Sequence, residues 1–438
     1  MVLRDKIKRR RMPERIETVI IGGGQAGLAM SYHLGQLRRE HIVLERGRVA
    51  ERWRSERWNS LAFQFPNWMM RLPGFAYEGD DPDGFMPRDG VVGFIEDYAK
   101  RIAPPLRCGI RVTALRQLAG TTTLAVDTEH FSLEAANVVV ATGPYQEPLV
   151  PAFSAALPLG TYQVTANRYI DADQLPPGRV LVVGSGASGY QIADDLLQGG
   201  REVYLSVGRH RRVPRRYRGK DFGWWQERMA LGERLTDTVP ADVLPPLLTG
   251  VNGGRDVDLR RLTKDGVTLV GRLRGIDTGR LFFAPDVEAN LAKGDAGIVG
   301  FTRLVDEFIA QHGLAAPEES QGAPVSPEAT SSTVDLGVRV AEINSVIWAT
   351  GYRYDFSWIK CPALNDRGTP VHRRGVTRVP GVYFLGLARL HKIKSSFLWG
   401  SVKTQSTSPS TSLARRRDTW PLTTGFTRRS STAGDPEG

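Results

Sequence analysis

The sequence predicts an α/β protein with two Rossmann-like dinucleotide-binding domains, one inserted into the other. Three observations carry this expectation. A G-x-G-x-x-G loop occurs twice, in VIIGGGQAGLAM and again in VLVVGSGASGYQIA. Each loop follows a short β-branched run and opens an amphipathic helical stretch, the strand–turn–helix setting that gives the motif its meaning. Further strand-like runs at 346–348 and 382–385 follow the second unit, so the chain leaves the first unit, builds the second and returns.

The first βαβ unit covers about 16–45. Its strand is 18–21, its helix 25–37 and its second strand 41–44, ending at Glu45. Gly22, Gly24 and Gly27 allow the tight turn, the approach of backbone to a pyrophosphate, and the packing of helix on strand; Gln25 and Ala26 complete the loop. The helix N-terminus neutralises the phosphates with free N–H groups and its dipole. Glu45 stands about 20 residues beyond Gly27, where an acid accepts a hydrogen bond from a ribose 2′-OH; Arg46 beside it is assigned to the same site. An aromatic-rich loop at 53–85 and a helix at 91–102 follow. Segments 110–118, 121–126 and 129–133 read as a small β layer. The run 138–140 leads into Ala141-Thr142-Gly143, and 144–169 reads as a linker.

The second unit starts at 179. Its cradle is Gly184, Ser185, Gly186, Ala187, Ser188 and Gly189, followed by a helix to 197 and a strand at 202–207. No acid ends that strand. Ser206, Arg209 and Arg211 stand there instead, and an arginine fork suits a 2′-phosphate. The first site therefore reads as FAD-type and the second as NADPH. Arg209 or Arg211 takes the phosphate; the bland alternative for 209–218 is a solvated basic loop. Short strands are expected at 267–270, 280–283 and 297–299, a helix at 301–311 and an exposed loop at 315–333. The run 346–348 leads into Ala349-Thr350-Gly351, and the last strand ends at Gly386. Small residues at both A-T-G segments permit close backbone approach. Phe222, Trp224, Trp225 and Phe282 line a pocket or fill a core. The expected division is a basic tail at 1–15, an FAD domain at 16–150 plus 340–400, an NADPH domain at 170–335, and a disordered tail at 401–438.

Composition narrows the function classes. The 438 residues suit two or three domains. There are two cysteines and no Cys-x-x-Cys, so no redox dithiol of that type is available and a reducing, cytoplasmic setting is expected. No apolar run approaches the roughly 18 residues of a membrane span, and no metal-ligand motif is assigned. The net charge is +11, but residues 1–15 hold seven Lys/Arg against two Asp/Glu, and residues 401–438 hold six against three. Excess charge at the chain ends is not a shaped basic surface, so a nucleic-acid partner is not expected. Oligomeric state is left open.

Taken together, the two glycine loops, the A-T-G segments at 141–143 and 349–351, and the G-V-Y-F-L-G at 381–386 resemble the flavin-containing monooxygenase superfamily over about residues 16–400. The resemblance implies that NADPH reduces bound FAD. The reduced flavin then reacts with O₂ to a C4a-(hydro)peroxide, which oxygenates a small organic substrate at nitrogen, sulfur or a ketone in a water-excluding site. It implies that Trp53 and Arg57, in ERWRSERW, line the flavin ring and that Asn67, in FPNWMM, contacts the reactive oxygen; Asn67 also reads as a turn residue after Pro66. The family's linker motif fits through Phe153, Gly160 and Tyr169 with stretched gaps and with Thr165 or Val164 where the family has histidine. After Gly400 the family's helix beside the flavin is replaced by a Ser/Thr-rich segment. Two other classes remain open: an FAD-dependent NADPH oxidoreductase without oxygenation (disulfide- or quinone-reductase-like), and a non-catalytic nucleotide-binding protein.

Overall fold

The structure is a computed structural model that describes residues 13–240, 242–318 and 342–400. The expected tail at 401–438, residues 1–12 of the expected basic tail and residues 319–333 of the expected loop lie outside the described residues.

Two largely parallel sheets organise the chain. The first has the order Leu106–Cys108, His41–Glu45, Glu14–Ile21, Ser132–Val140, Val382–Phe384, with parallel pairing throughout this run. That is the order of a doubly wound nucleotide fold, and its switch point lies between Glu14–Ile21 and Ser132–Val140. The central strand is apolar on both faces. Val19 and Ile21 enter one core cluster with Leu115, Val126 and Leu133, while Ile20 enters another with Met30 and Leu34 of the helix Gln25–Gln36. Burying one such side chain contributes about 1.5–3 kcal/mol, which is why this stretch reads as an unbroken β-branched run rather than an alternating one. The first strand begins at Glu14, two residues inside the expected basic tail.

The expected β layer is an antiparallel meander of Val112–Gln117, Leu124–Thr128 and the first half of Ser132–Val140. The runs expected separately at 129–133 and 138–140 thus belong to one strand, whose second half turns to Val382–Phe384.

The second sheet has the order Tyr162–Thr165, Ser345–Trp348, Val180–Val183, Val203–Ser206, Thr268–Val270, all parallel. This corrects two boundaries. The expected linker contains the edge strand Tyr162–Thr165. Ser345–Trp348, expected in the returning part of the first unit, lies inside the second sheet between Tyr162–Thr165 and Val180–Val183. A short apolar run does not say which of two similar sheets it joins; the register does. The strand expected at 297–299 lies within the helix Val287–His312. There, buried Val287, Leu291, Gly294, Phe301 and Val305 recur at helical spacing. Among the described residues no helix is long and apolar enough to cross a membrane.

The chain crosses between sheets twice, and the two crossings pair. Glu147–Pro148 runs antiparallel to Tyr352–Arg353; Leu149 N donates to Gly351 O at 2.9 Å and Asp355 N to Gln146 Oε1 at 2.8 Å. A second tie lies elsewhere. The turn Leu231–Glu233 meets Ile393–Ser396 through Glu233, whose carboxylate takes Lys392 Nζ at 2.8 Å and buried Lys394. Burial opposes ionisation of Glu233, but hydrogen bonds from the two lysines outweigh it and lower its pKa to about 2. A carboxylate with a depressed folded pKa contributes stability above its unfolded value and loses it as pH falls. Glu233→Gln should therefore melt below the parent at pH 7, by a gap that holds down to about pH 4.5 and narrows as the pH approaches 2. Thermal melts of both proteins across that range check this.

Candidate functional site

Both glycine turns open onto one cleft of about 1680 Å³. At the first, Gly22 has φ +114°, and a Cβ there would lie 2.5 Å from Ala141 O. A Cβ at Gly27 would lie 1.9 Å from Gly22 O, so this glycine is needed for helix–strand contact rather than for ligand contact. Gly24 caps the helix with no side-chain hydrogen bond and nothing within 4 Å of its missing Cβ. The helix N-terminus is left open to an anion, which a glycine cap achieves and an Asp or Ser cap would not. Glu45 accepts Gly23 N at 2.6 Å and Gly47 N at 2.8 Å, which fixes its carboxylate beside the turn. A Cβ at Gly386 (φ +73°) would lie 2.6 Å from Ala26 Cβ, so the last strand's turn touches the same helix.

The second turn repeats this geometry. Gly184 has φ +108° and a Cβ there would lie 2.5 Å from Ala349 O; one at Gly189 would lie 1.7 Å from Gly184 O; Gly186 is an uncapped helix N-terminus with free space. Ala349 therefore does for the second cradle what Ala141 does for the first. Of the expected site residues, Gly22, Gly24, Gln25, Ala26, Glu45, Arg46, Trp53, Arg57, Ala141, Thr142 and Gly143 line the cleft on one side. Gly186, Ala187, Ser188, Arg209, Arg211, Ala349, Gly351 and Gly386 complete the lining. Thr350 faces away, its hydroxyl bonded to Leu149 O. Ser185 accepts Gly208 N at 3.0 Å and braces the loop after the second strand.

Two expectations and one alternative need correction. Ser206 is buried; its hydroxyl donates to Gly271 O at 2.9 Å and accepts Leu273 N at 3.1 Å, so it serves the sheet edge and not a ribose phosphate. Asn67 is buried in the turn after Pro66, and its Nδ2 donates to Asp81 O at 2.9 Å while its N donates to Gly84 O. It clamps the 81–84 loop and does not line the cleft; Gln64 of the same segment does. Nor is 209–218 a uniformly solvated basic loop. Arg212 is buried against Asp258 and Asp295, and Arg215 against Asp221 at 2.7 Å, with its Nη1 donating to Gln64 O at 2.7 Å. Burying a guanidinium without a carboxylate is costly, so these pairs form. Arg209 remains exposed in the cleft with no hydrogen bond or ion pair of its side chain among the described residues. Arg211 is half-buried, and burial lowers its pKa. Burial also lowers that of His210 between them, so at neutral pH it adds no charge.

Arg57 lies 5.6 Å from the Trp53 ring and 5.5 Å from the Tyr145 ring, and donates to Glu56 O at 2.6 Å. The carboxylate of Glu56, itself buried, holds Arg52 at 2.6 Å and Arg46 at 3.6 Å. Three cleft arginines thus gather around Glu56 as a source of cations for an anionic ligand, while Glu45 and Glu51 line the same cleft. Sequence reasoning missed Gln64, Tyr145, Gln226, Lys293, Phe397 and Trp399 as cleft residues. None lies in a glycine motif: Gln226 and Lys293 lie on the helices Phe222–Arg228 and Val287–His312, the other four stand outside helices and strands, and the only signal was a polar or aromatic side chain. Of the aromatics left open, Phe222 lines the cleft, Trp225 is core and bonds Tyr217 O at 2.8 Å, and Phe282 is exposed.

The missing Cβ atoms give a test. Gly24→Ala and Gly186→Ala have negative φ and room for a methyl, so their stability should change by less than about 1 kcal/mol. The methyl stands over the helix N-terminus, and each variant should bind its dinucleotide at least about tenfold more weakly. Calorimetric titration with FAD and NADPH, beside thermal melts, reads both effects.

Pyridine nucleotide-disulphide oxidoreductases match this chain over residues 19–222. An uncharacterized CzcO-like oxidoreductase of Geobacillus kaustophilus is 33% identical over 392 residues, 89% of this chain and 96% of the relative. The indole-3-pyruvate monooxygenase YUCCA1 of rice, Oryza sativa subsp. japonica, is 27% identical, covering 84% of each chain. Among solved structures, a flavin-containing monooxygenase from Stenotrophomonas maltophilia superposes with a TM-score of 0.63 at 18% identity, over 92% of this chain and 99% of the other. The chain belongs to the CzcO-like oxidoreductases and shares its fold with flavin-containing monooxygenases.

Proposed function

We propose that the protein is an NADPH- and O₂-dependent flavin monooxygenase acting on a small organic molecule, with FAD in the first cradle and NADPH in the second. The observation that carries this reading is one cleft bounded by two uncapped helix N-termini that differ in their ribose partner. The first has the carboxylate Glu45; the second has the cation Arg209, unpaired among the described residues. A carboxylate there accepts from a free 2′-OH and repels a 2′-phosphate, whereas a guanidinium does the reverse. Bound FAD supplies hydride acceptance and O₂ activation. The chain's part is to hold the two dinucleotides face to face, to bring cations to their phosphates through Arg46, Arg52 and Arg57, and to wall the reacting centre with Trp53, Phe63 and Phe65.

The alternative of NADPH oxidation without oxygenation draws support from the disulphide-oxidoreductase match at 19–222. A disulphide reductase of that kind needs a thiol at the flavin. Cys108 is exposed on a sheet-edge strand, Cys361 is buried, and neither lines the cleft. The rice relative is named as a monooxygenase.

Anaerobic mixing with NADPH should bleach the flavin, and admitting O₂ with substrate should give oxygenated product. Reoxidation yielding only H₂O₂ with every substrate tried would leave an oxidase or reductase. Arg209→Ala should raise the KM for NADPH by about tenfold to a hundredfold and leave that for NADH within about twofold. Steady-state kinetics with both nucleotides check this.

A further inference from the structure

We infer that the part of the cleft between Gln226 and Trp399 is a substrate subsite for a flat, uncharged ring whose edge carries both a hydrogen-bond donor and an acceptor. The word substrate rests on the monooxygenase reading; the binding chemistry does not. Phe222 and Gln226 lie one turn apart on the helix Phe222–Arg228, both are buried, and both line the cleft. Phe65, Phe397 and Trp399 line the same cleft, with Trp399 4.5 Å from Phe65 and 4.8 Å from Phe397 between ring centroids. Phe65, Phe222 and Trp399 belong to one packed cluster, with Phe397 against it.

Two polar atoms interrupt this aromatic wall. Gln226 is 7% exposed and Trp399 2%, yet Gln226 Oε1 and Trp399 Nε1 are buried without a hydrogen-bond partner among the described residues. Both residues flank Lys394. A Cβ at Gly232 would lie 3.8 Å from Gln226 Nε2 and 3.4 Å from Lys394 Cβ, and one at Gly400, next to Trp399, would strike Lys394 O. Neither residue belongs to a glycine cradle. The other buried amide of the cleft, Gln191, sits on the second cradle helix; its Nε2 donates to Leu248 O at 2.7 Å and its Oε1 also lacks a partner among the described residues.

The chemistry of the ligand follows from these atoms. An amide oxygen needs a donor and an indole N–H needs an acceptor. Aromatic walls favour a planar apolar body. A buried charge opposite two neutral partners would lose its hydration without compensation, so the edge is uncharged. A site built to hydrogen-bond an edge rejects the isostere that lacks it, because its own polar atoms then stay unpaired.

The test uses the FAD-loaded protein and two probes, 2-quinolinone, which has N–H beside C=O, and naphthalene, which has neither. Binding is followed by tryptophan fluorescence and flavin absorbance. 2-Quinolinone should bind at least about tenfold more tightly. Gln226→Leu and Trp399→Phe should each erase most of that preference while leaving naphthalene affinity and FAD content unchanged. Equal binding of the two probes by the parent, or a preference that survives both substitutions, overturns the inference. Loss of FAD from Gln226→Leu also overturns it, since the amide then serves the cofactor. Should Gln226→Leu fail to fold, Trp399→Phe, which removes one N–H and keeps an aromatic wall, decides alone. Oxygen uptake is scored separately: a probe preference without oxygenation leaves the subsite standing and removes the monooxygenase reading.

Discussion

A strand-end carbonyl pressed against a glycine turn is the contact on which the rest of the molecule depends. Ala141 O meets Gly22 and Ala349 O meets Gly184, each at a distance that leaves no room for a side chain. In both units this contact lies at the switch point of the sheet, where the strands on either side lead away in opposite directions. The glycine's positive φ turns the chain into the helix, and the glycine two residues on, Gly24 or Gly186, leaves that helix uncapped. Strand order, turn and open N-terminus are thus parts of one steric solution, used twice.

Charge distinguishes the two copies. A fixed carboxylate, Glu45, stands beside the first turn, and Arg209, a cation with no partner among the described residues, stands in the cleft near the second. Much of the remaining basic character near the second cradle is structural. Arg212 and Arg215 are buried with acids of the same unit, and Arg215 also reaches Gln64 O on the opposite cleft wall. Together with Glu233 between Lys392 and Lys394, this joins the halves around the cleft rather than only behind it. Cleft walls drawn from both units are what allow two ligands to meet there.

Much of the fold was legible. Both cradles, their strands and helices, the returning strand and the helix expected at 91–102, which spans Arg88–Ile102, follow from periodicity and glycine spacing, which are local properties. The misplacements share one cause. Ser345–Trp348 is four apolar or small residues that either sheet would accept. Residues 297–299 lie too near a glycine to show the helical repeat that continues through them. Ser206 and Asn67 are polar residues at suggestive positions whose hydrogen bonds go to backbone groups distant in sequence.

The sequence by itself determined that two glycine turns with open helix starts form and that a carboxylate follows the first and arginines the second, because turn, helix start and strand end lie within a few tens of residues. Tertiary structure alone decided which arginines are free, which amide faces the cleft and which sheet receives the second A-T-G segment. Those outcomes depend on partners outside the local pattern, such as Gln64 for Arg215 or Val180–Val183 for Ser345–Trp348, and a linear pattern carries no information on who those partners are.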